Sequence, residues 1–214
     1  MTNLFSVFDP CTGQFSLNWM STIIFCFMYP YKFWFMPNKI SMINKLIINP
    51  IKNEIKMIMP YKGMMLIMLT LFMFILVNNL MGLLPYVFTS TSHLVFSLSM
   101  ALPLWLTFMM YGWMNKSNSM FTHLVPLGTP SMLTPFMVII ETISNLIRPG
   151  SLAVRLTANM IAGHLLMSLL GGSSITVIIT TMIIFVILMM FELAVSTIQA
   201  YVFMTLSTLY SSEI

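Results

Sequence analysis

The stretch Ser151-Leu-Ala-Val-Arg155-Leu-Thr-Ala-Asn159-Met-Ile-Ala-Gly163-His164-Leu-Leu166 decides the fold, because it sets one cation in an otherwise uncharged, apolar run. No charged residue lies within six positions of Arg155 on either side. The stretch belongs to a longer apolar run, residues 133–170, and a second such run, residues 173–209, follows across Gly171-Gly172. Runs this long and this poor in charge belong in hydrocarbon. A guanidinium there costs roughly 2.5–3.5 kcal/mol on insertion scales. It cannot escape by deprotonating, since its pKa lies above about 12. Such a residue implies a charge or an ion path for it to act on.

The whole chain agrees with its decisive stretch. Its 214 residues are 58% hydrophobic and 7% charged, against about 25% charged in a soluble domain. That leaves too little polar surface to clothe a water-soluble globule, and the mean hydropathy is +0.94. The expectation is an all-α integral membrane protein, a single membrane domain over residues 1–214. The net charge of +4 reflects where the lysines sit relative to the membrane, not nucleic-acid binding. Cys11 and Cys26 have no metal or redox spacing and read as small apolar residues in or near the first span. The first ten residues carry neither a positive n-region nor an Arg-rich amphipathic stretch, so they resemble neither a signal peptide nor an import presequence. The 25 Met residues exceed what packing explains and point to compositional pressure on the gene.

At about 20 residues per crossing, the apolar runs give five spans. These are residues 17–31, extendable to 15–35, then 64–88, 94–114, 133–170 and 173–209. Between the first two lies a lysine-rich segment, residues 38–60. There Ile40, Ile43, Ile47, Ile51, Ile55 and Ile58 recur at steps of three and four. That period makes an amphipathic helix suited to a membrane surface. Under this count Lys32, Lys39, Lys45, Lys52, Lys56, Lys62 and Lys116 share one side, while the loops near residues 89–93 and 171 have no Lys or Arg. The positive-inside rule puts that side in the matrix or cytoplasm, with the N-terminus outside and the C-terminus inside. A 38-residue helix extends about 57 Å across a core about 30 Å thick. The last two helices must therefore protrude, break or tilt strongly, and Pro149-Gly150 marks the expected break or kink.

Those two runs hold Glu141, Arg148, Arg155, Asn159, His164, Glu192 and Gln199. At about 100° per residue, Asn159 projects about 40° from Arg155 and Gln199 about 20° from Glu192, whereas His164 projects about 180° from Arg155. Ala158 and Ala162 fall near the Arg155 face, where small side chains admit another helix. Glu141 to Arg155 spans about 21 Å of helix and Arg155 to His164 about 14 Å. Carboxylates and imidazole exchange protons readily, so the set reads as a proton ladder. The plain alternative is an ion pair of Arg155 with Glu141 or Glu192 that only holds helices together. His93 and His123 read as solvated edge residues. No nucleotide loop, dinucleotide fingerprint or zinc-protease motif occurs, so neither cofactor nor metal is expected. Asn115-Lys-Ser117 fits a glycosylation acceptor but falls on the wrong side for modification.

The stretch Arg155-Leu-Thr-Ala-Asn159-Met-Ile-Ala-Gly163-His164 resembles the core of the subunit a family of F-type ATP synthases. Ile198-Gln199-Ala-Tyr201-Val-Phe203 and Asn79-Leu-Met-Gly82-Leu-Leu-Pro85 resemble its C-terminal and second-span motifs. The likeness covers essentially the whole chain. It implies a proton-conducting stator subunit facing a ring of c subunits, with other membrane and peripheral-stalk subunits as further partners and no nucleotide site of its own. The residue matching Arg155 faces the ring carboxylates and separates two offset half-channels. Residues matching His164 and Glu192 line the outer half-channel and one matching Glu141 lines the matrix one, with Asn159 and Gln199 close to the arginine. The His164–Glu192 pairing and the Met surplus resemble mitochondrial members, which implies the inner membrane of mitochondria; Arg148 matches no role. The competing class, a proton-translocating subunit of a redox complex or antiporter, favours lysines inside the membrane, and here they lie outside the spans or at an edge. A passive anchor leaves Arg155 beside Asn159 without a purpose.

Overall fold

The computed structural model describes residues 4–11, 16–23, 27, 36–59, 62–84, 86–125, 128–172 and 178–213. Among the described residues we number six α-helices in chain order: α1 (Lys39–Ile58), α2 (Lys62–Gly82), α3 (Leu94–Asn115), α4 (Ser117–His123), α5 (Thr134–Gly171) and α6 (Ile178–Glu213). Four of these helices, α2, α3, α5 and α6, are long and apolar enough to cross a membrane. The expected first crossing falls mostly outside the described residues. Of it, Leu17–Ile23 forms a short 3-10 turn.

Each of these four helices lies in an apolar run, but run and helix do not share all their ends. The run over residues 64–88 overshoots, because α2 ends at Gly82. The apolar residues beyond it turn back, with Tyr86 at φ 67°. This left-handed region is uncommon for a bulky side chain. The chain then makes a 3-10 turn, Ser90–Ser92, whose residues are buried against the bundle. Gly82 lies under that turn, where a Cβ would sit 3.3 Å from Thr89 Cγ2.

The four long helices pack as two interlocked pairs, α2 with α6 and α3 with α5, while α5 and α6 also run side by side. Their shared core is Met68, Phe72 and Ile75 of α2, Ala101 and Phe108 of α3, Leu152, Ala153 and Leu156 of α5, and Ala200, Phe203 and Met204 of α6. Ala153 and Ala200 are fully buried, so short side chains mark where backbones approach most closely. The lysine-rich α1 completes the bundle. Ile51 and Ile55 enter the core, and Tyr201 of α6 donates a hydrogen bond of 2.9 Å to Glu54 Oε2. The greasy stripe expected along α1 thus divides: its C-terminal half packs on protein, whereas Ile40, Ile43 and Ile47 stay exposed.

Pro149-Gly150 does not break α5. The helix runs unbroken from Thr134 to Gly171 with Pro149 buried inside it. Proline removes one backbone hydrogen bond, yet the helix continues, and Leu152, Ala153 and Leu156 bury their side chains directly after it. A continuous helix of 38 residues is about 57 Å long. With breakage excluded, α5 either inclines steeply in a core about 30 Å thick or extends beyond it.

Candidate functional site

Because α5 is unbroken, its polar residues form a ladder. Glu141, Arg148, Arg155 and His164 follow one another along a single helix axis. Each meets a different surrounding.

Near the lysine-bearing end, Glu141 Oε1 lies 3.5 Å from Arg148 Nη2. The Arg148 guanidinium also sits over the ring of Tyr210, 5.0 Å from its centroid, at a distance where the ring quadrupole attracts a cation. The two charged groups face a cavity of about 470 Å³ bordered by Trp113, His123, Asn145 and Tyr210. His123, expected to be a solvated edge residue, is exposed and borders the cavity mouth.

At mid-helix the surroundings change completely. Arg155 is exposed on the flank of α5, and among the described residues it forms no ion pair, since the recorded bridge joins Glu141 to Arg148. A helix-holding ion pair of Arg155 with Glu141 or Glu192 is therefore not present. Ala158 and Ala162, one and two turns on, are exposed with it, while Asn159 is half-buried. On α6 the exposed residues Ile187, Phe191, Ala194, Ile198 and Tyr201 recur at helical spacing. Each of these two helices thus exposes an apolar stripe, and the one on α5 carries an uncompensated cation.

Towards the other end lies a buried carboxylate. Glu192 is 8% exposed, and neither carboxylate oxygen has a hydrogen-bond partner among the described residues. Its carboxyl group rests on Gly163 of α5, where a Cβ would stand 2.7 Å from Cδ and 2.7 Å from Oε1. Gly163 leaves the room the carboxylate occupies. The next residue, His164, is half-buried with Nε2 unpartnered, and its ring meets Phe8 edge-on at 6.2 Å. One turn past Glu192, Ser196 is buried, and its carbonyl accepts from Asn79 Nδ2 at 3.4 Å. Asn79 is itself fully buried with Oδ1 unpartnered. Buried polar groups without partners are costly, and their concentration here marks where water or a proton is to be accommodated. Gln199, expected on the Glu192 face, is half-buried between the inner and outer sides of α6.

The structure thus joins Glu192 to the His164 segment, and Glu141 to Arg148, while leaving Arg155 apart. Sequence reasoning missed Gly163, Ser196 and Tyr210. For Ser196 a signal existed, since it follows Glu192 by one helical turn. Gly163 and Tyr210 act across helices that no local spacing connects.

Comparison with known proteins agrees with the motifs. Residues 15–212 match the family described as ATP synthase A chain. The chain is 54% identical to ATP synthase subunit a of Locusta migratoria, 53% to that of Anopheles gambiae and 55% to that of Drosophila melanogaster. Each similarity covers 100% of this chain and 99% of the relative.

Proposed function

The chain belongs to the ATP synthase subunit a family, and from that premise we propose that it is the proton-conducting stator subunit of an F-type ATP synthase, working against a ring of c subunits. This membership places it in a membrane sector and decides against the redox-complex and antiporter reading. The observation that carries the proposal is Arg155, a permanent cation exposed at mid-helix on an apolar flank without a counter-ion among the described residues. An isolated charge in hydrocarbon is too costly to be left bare. The carboxylates of a ring passing that flank are the counter-ions it needs, and Ala158 and Ala162 let ring helices approach closely.

The chemistry follows from elementary electrostatics. A ring carboxylate opposite Arg155 is favoured in its charged form and gives up its proton. Before it moves on into lipid it must be reprotonated, because a bare carboxylate there is strongly penalised. The outer half-channel that supplies this proton runs past His164 and Glu192, with Asn79 and Ser196 adding polar atoms to its wall. The half-channel that receives the released proton on the matrix side opens at the Glu141–Arg148 cavity. Asn159 and Gln199 flank the arginine between the two. Each proton crossing about 100 mV delivers about 2.3 kcal/mol, which ring rotation transmits to a nucleotide site on other subunits. The Met surplus, and the His164–Glu192 pairing resembling mitochondrial members, support a place in the inner membrane of mitochondria.

The test is ATP synthesis and passive proton permeability of reconstituted Arg155→Ala complexes, with assembly verified on the same sample. Synthesis is expected to fall to background while protons leak between the half-channels. An assembled Arg155→Ala complex that makes ATP at the normal rate overturns the proposal.

A further inference from the structure

A second large concavity borders the Glu141–Arg148 cavity, the two meeting at Phe108. It encloses about 550 Å³ between the first turns of α2, the C-terminal half of α3 and the end of α6, within the range of small-molecule sites. Its walls are Met64, Ile67, Pro103, Leu104 and Phe108, with Lys116 and Tyr111 at one end.

The polar atoms sort cleanly along it. The hydroxyls inside the groove are already engaged. Thr107 Oγ1 donates to the Leu104 carbonyl at 2.7 Å, and Ser211 Oγ donates to the Thr208 carbonyl at 2.7 Å while also lying 2.7 Å from Met59 Sδ. The interior therefore offers hydrocarbon and no unpaired donor. At the end, the Lys116 ammonium and the Tyr111 hydroxyl are both exposed, and neither has a recorded hydrogen bond among the described residues. From Pro103 to Lys116 is about 20 Å of helix, against about 15 Å for half of a 30 Å hydrocarbon core. The groove thus runs from a membrane surface to the depth of one leaflet's acyl chains.

We propose that this groove is a binding site for an anionic phospholipid of the lysine-bearing leaflet, its acyl chain against α2 and α3 and its phosphate on Lys116 and Tyr111. Charge complementarity selects the occupant. An ammonium and a phenol donor lining one apolar trough fit a phosphate that accepts from both and carries negative charge. Basic pockets between membrane helices on the matrix or cytoplasmic side hold acidic lipids for this reason. A wholly apolar partner helix would fill the trough but leave Lys116 without an anion. Binding here would brace α2 against α3, the two helices that back α6 and α5.

The experiment uses the intact complex in phosphatidylcholine nanodiscs doped with phosphatidylglycerol that carries a photoreactive acyl chain. Labelling of Met64, Ile67 or Leu104 is expected, with several-fold less from phosphatidylcholine bearing the same chain. Lys116→Glu, an exposed substitution, is expected to reduce the phosphatidylglycerol label to the phosphatidylcholine level. Thr107→Trp, which fills the trough, should remove the label from both lipids. Equal labelling by the two lipids, unchanged labelling in Lys116→Glu, or cross-linking of the groove to another subunit instead of lipid would each overturn the site.

Discussion

Arg148 and Arg155 stand two helical turns apart on α5, yet their situations are opposite. Arg148 has Glu141 at 3.5 Å and the Tyr210 ring beneath it at 5.0 Å. Arg155 lies exposed on an apolar flank with no ion pair among the described residues. Both guanidiniums are permanently charged, so the difference lies in their surroundings. A cation already satisfied within its own chain has little left to offer a partner. The cation left bare by the fold is the one whose counter-ion must come from outside.

The contrast is sharpest if both positions are changed in the same way. Arg155→Lys should abolish ATP synthesis, because a desolvated ammonium can lose its proton and lacks the planar fork of guanidinium. Arg148→Lys should retain most of it, since Glu141 and Tyr210 still receive a cation. ATP synthesis by matched, fully assembled complexes gives the comparison, and equal loss at the two positions would break it.

A smaller but clear loss is expected on the outer side. Glu192→Gln keeps the side-chain shape beside Gly163 and removes only the titratable group, so proton uptake should slow with assembly intact. Gly163→Ala would place a Cβ 2.7 Å from the Glu192 carboxyl carbon, so the carboxylate must swing away from α5, and proton flux should fall with assembly intact. Normal proton flux in assembled Glu192→Gln would remove the carboxylate from the path.

The smallest effect concerns the strap between α1 and α6. Tyr201→Phe removes the hydrogen bond to Glu54, and an ordinary net contribution is about 0.5–1.5 kcal/mol. A slight loss of thermal stability with nearly normal synthesis is expected. A collapse of synthesis would mean that Tyr201, which shares the exposed side of α6 with Ile198, acts on protons directly.

Sequence alone revealed the parts whose physics is local. Runs of apolar residues pointed to the long helices α2, α3, α5 and α6, and the three-and-four spacing of isoleucines pointed to α1. Arg155 stood out because its neighbours are apolar along the chain itself. What stayed hidden depends on contacts between distant segments. Pro149 should disrupt a helix by its own chemistry, yet α5 continues through it into the buried Leu152, Ala153 and Leu156. The run beyond Gly82 looks like more helix until the Ser90–Ser92 turn is seen to need the space. Helical angles put Gln199 beside Glu192, yet the inner face of α6 is set by Glu192, Ser196, Ala200 and Phe203, and Gln199 lies at its margin. Arg148 carried no legible role, since Tyr210 reaches it from the far end of the next helix.

The most direct test of the central claim is whether the Arg155 flank touches a ring carboxylate. In an assembled complex, Ala158→Cys would be paired with a cysteine placed one turn from the proton-carrying carboxylate of the c subunit and exposed to mild oxidant. Met110→Cys, also exposed but on α3, serves as the control. Ala158→Cys should form a disulfide with the ring and stop rotation-coupled ATP hydrolysis, and reductant should restore it. Absence of that cross-link, or an equal one from Met110→Cys, would contradict the assignment of this face to the ring.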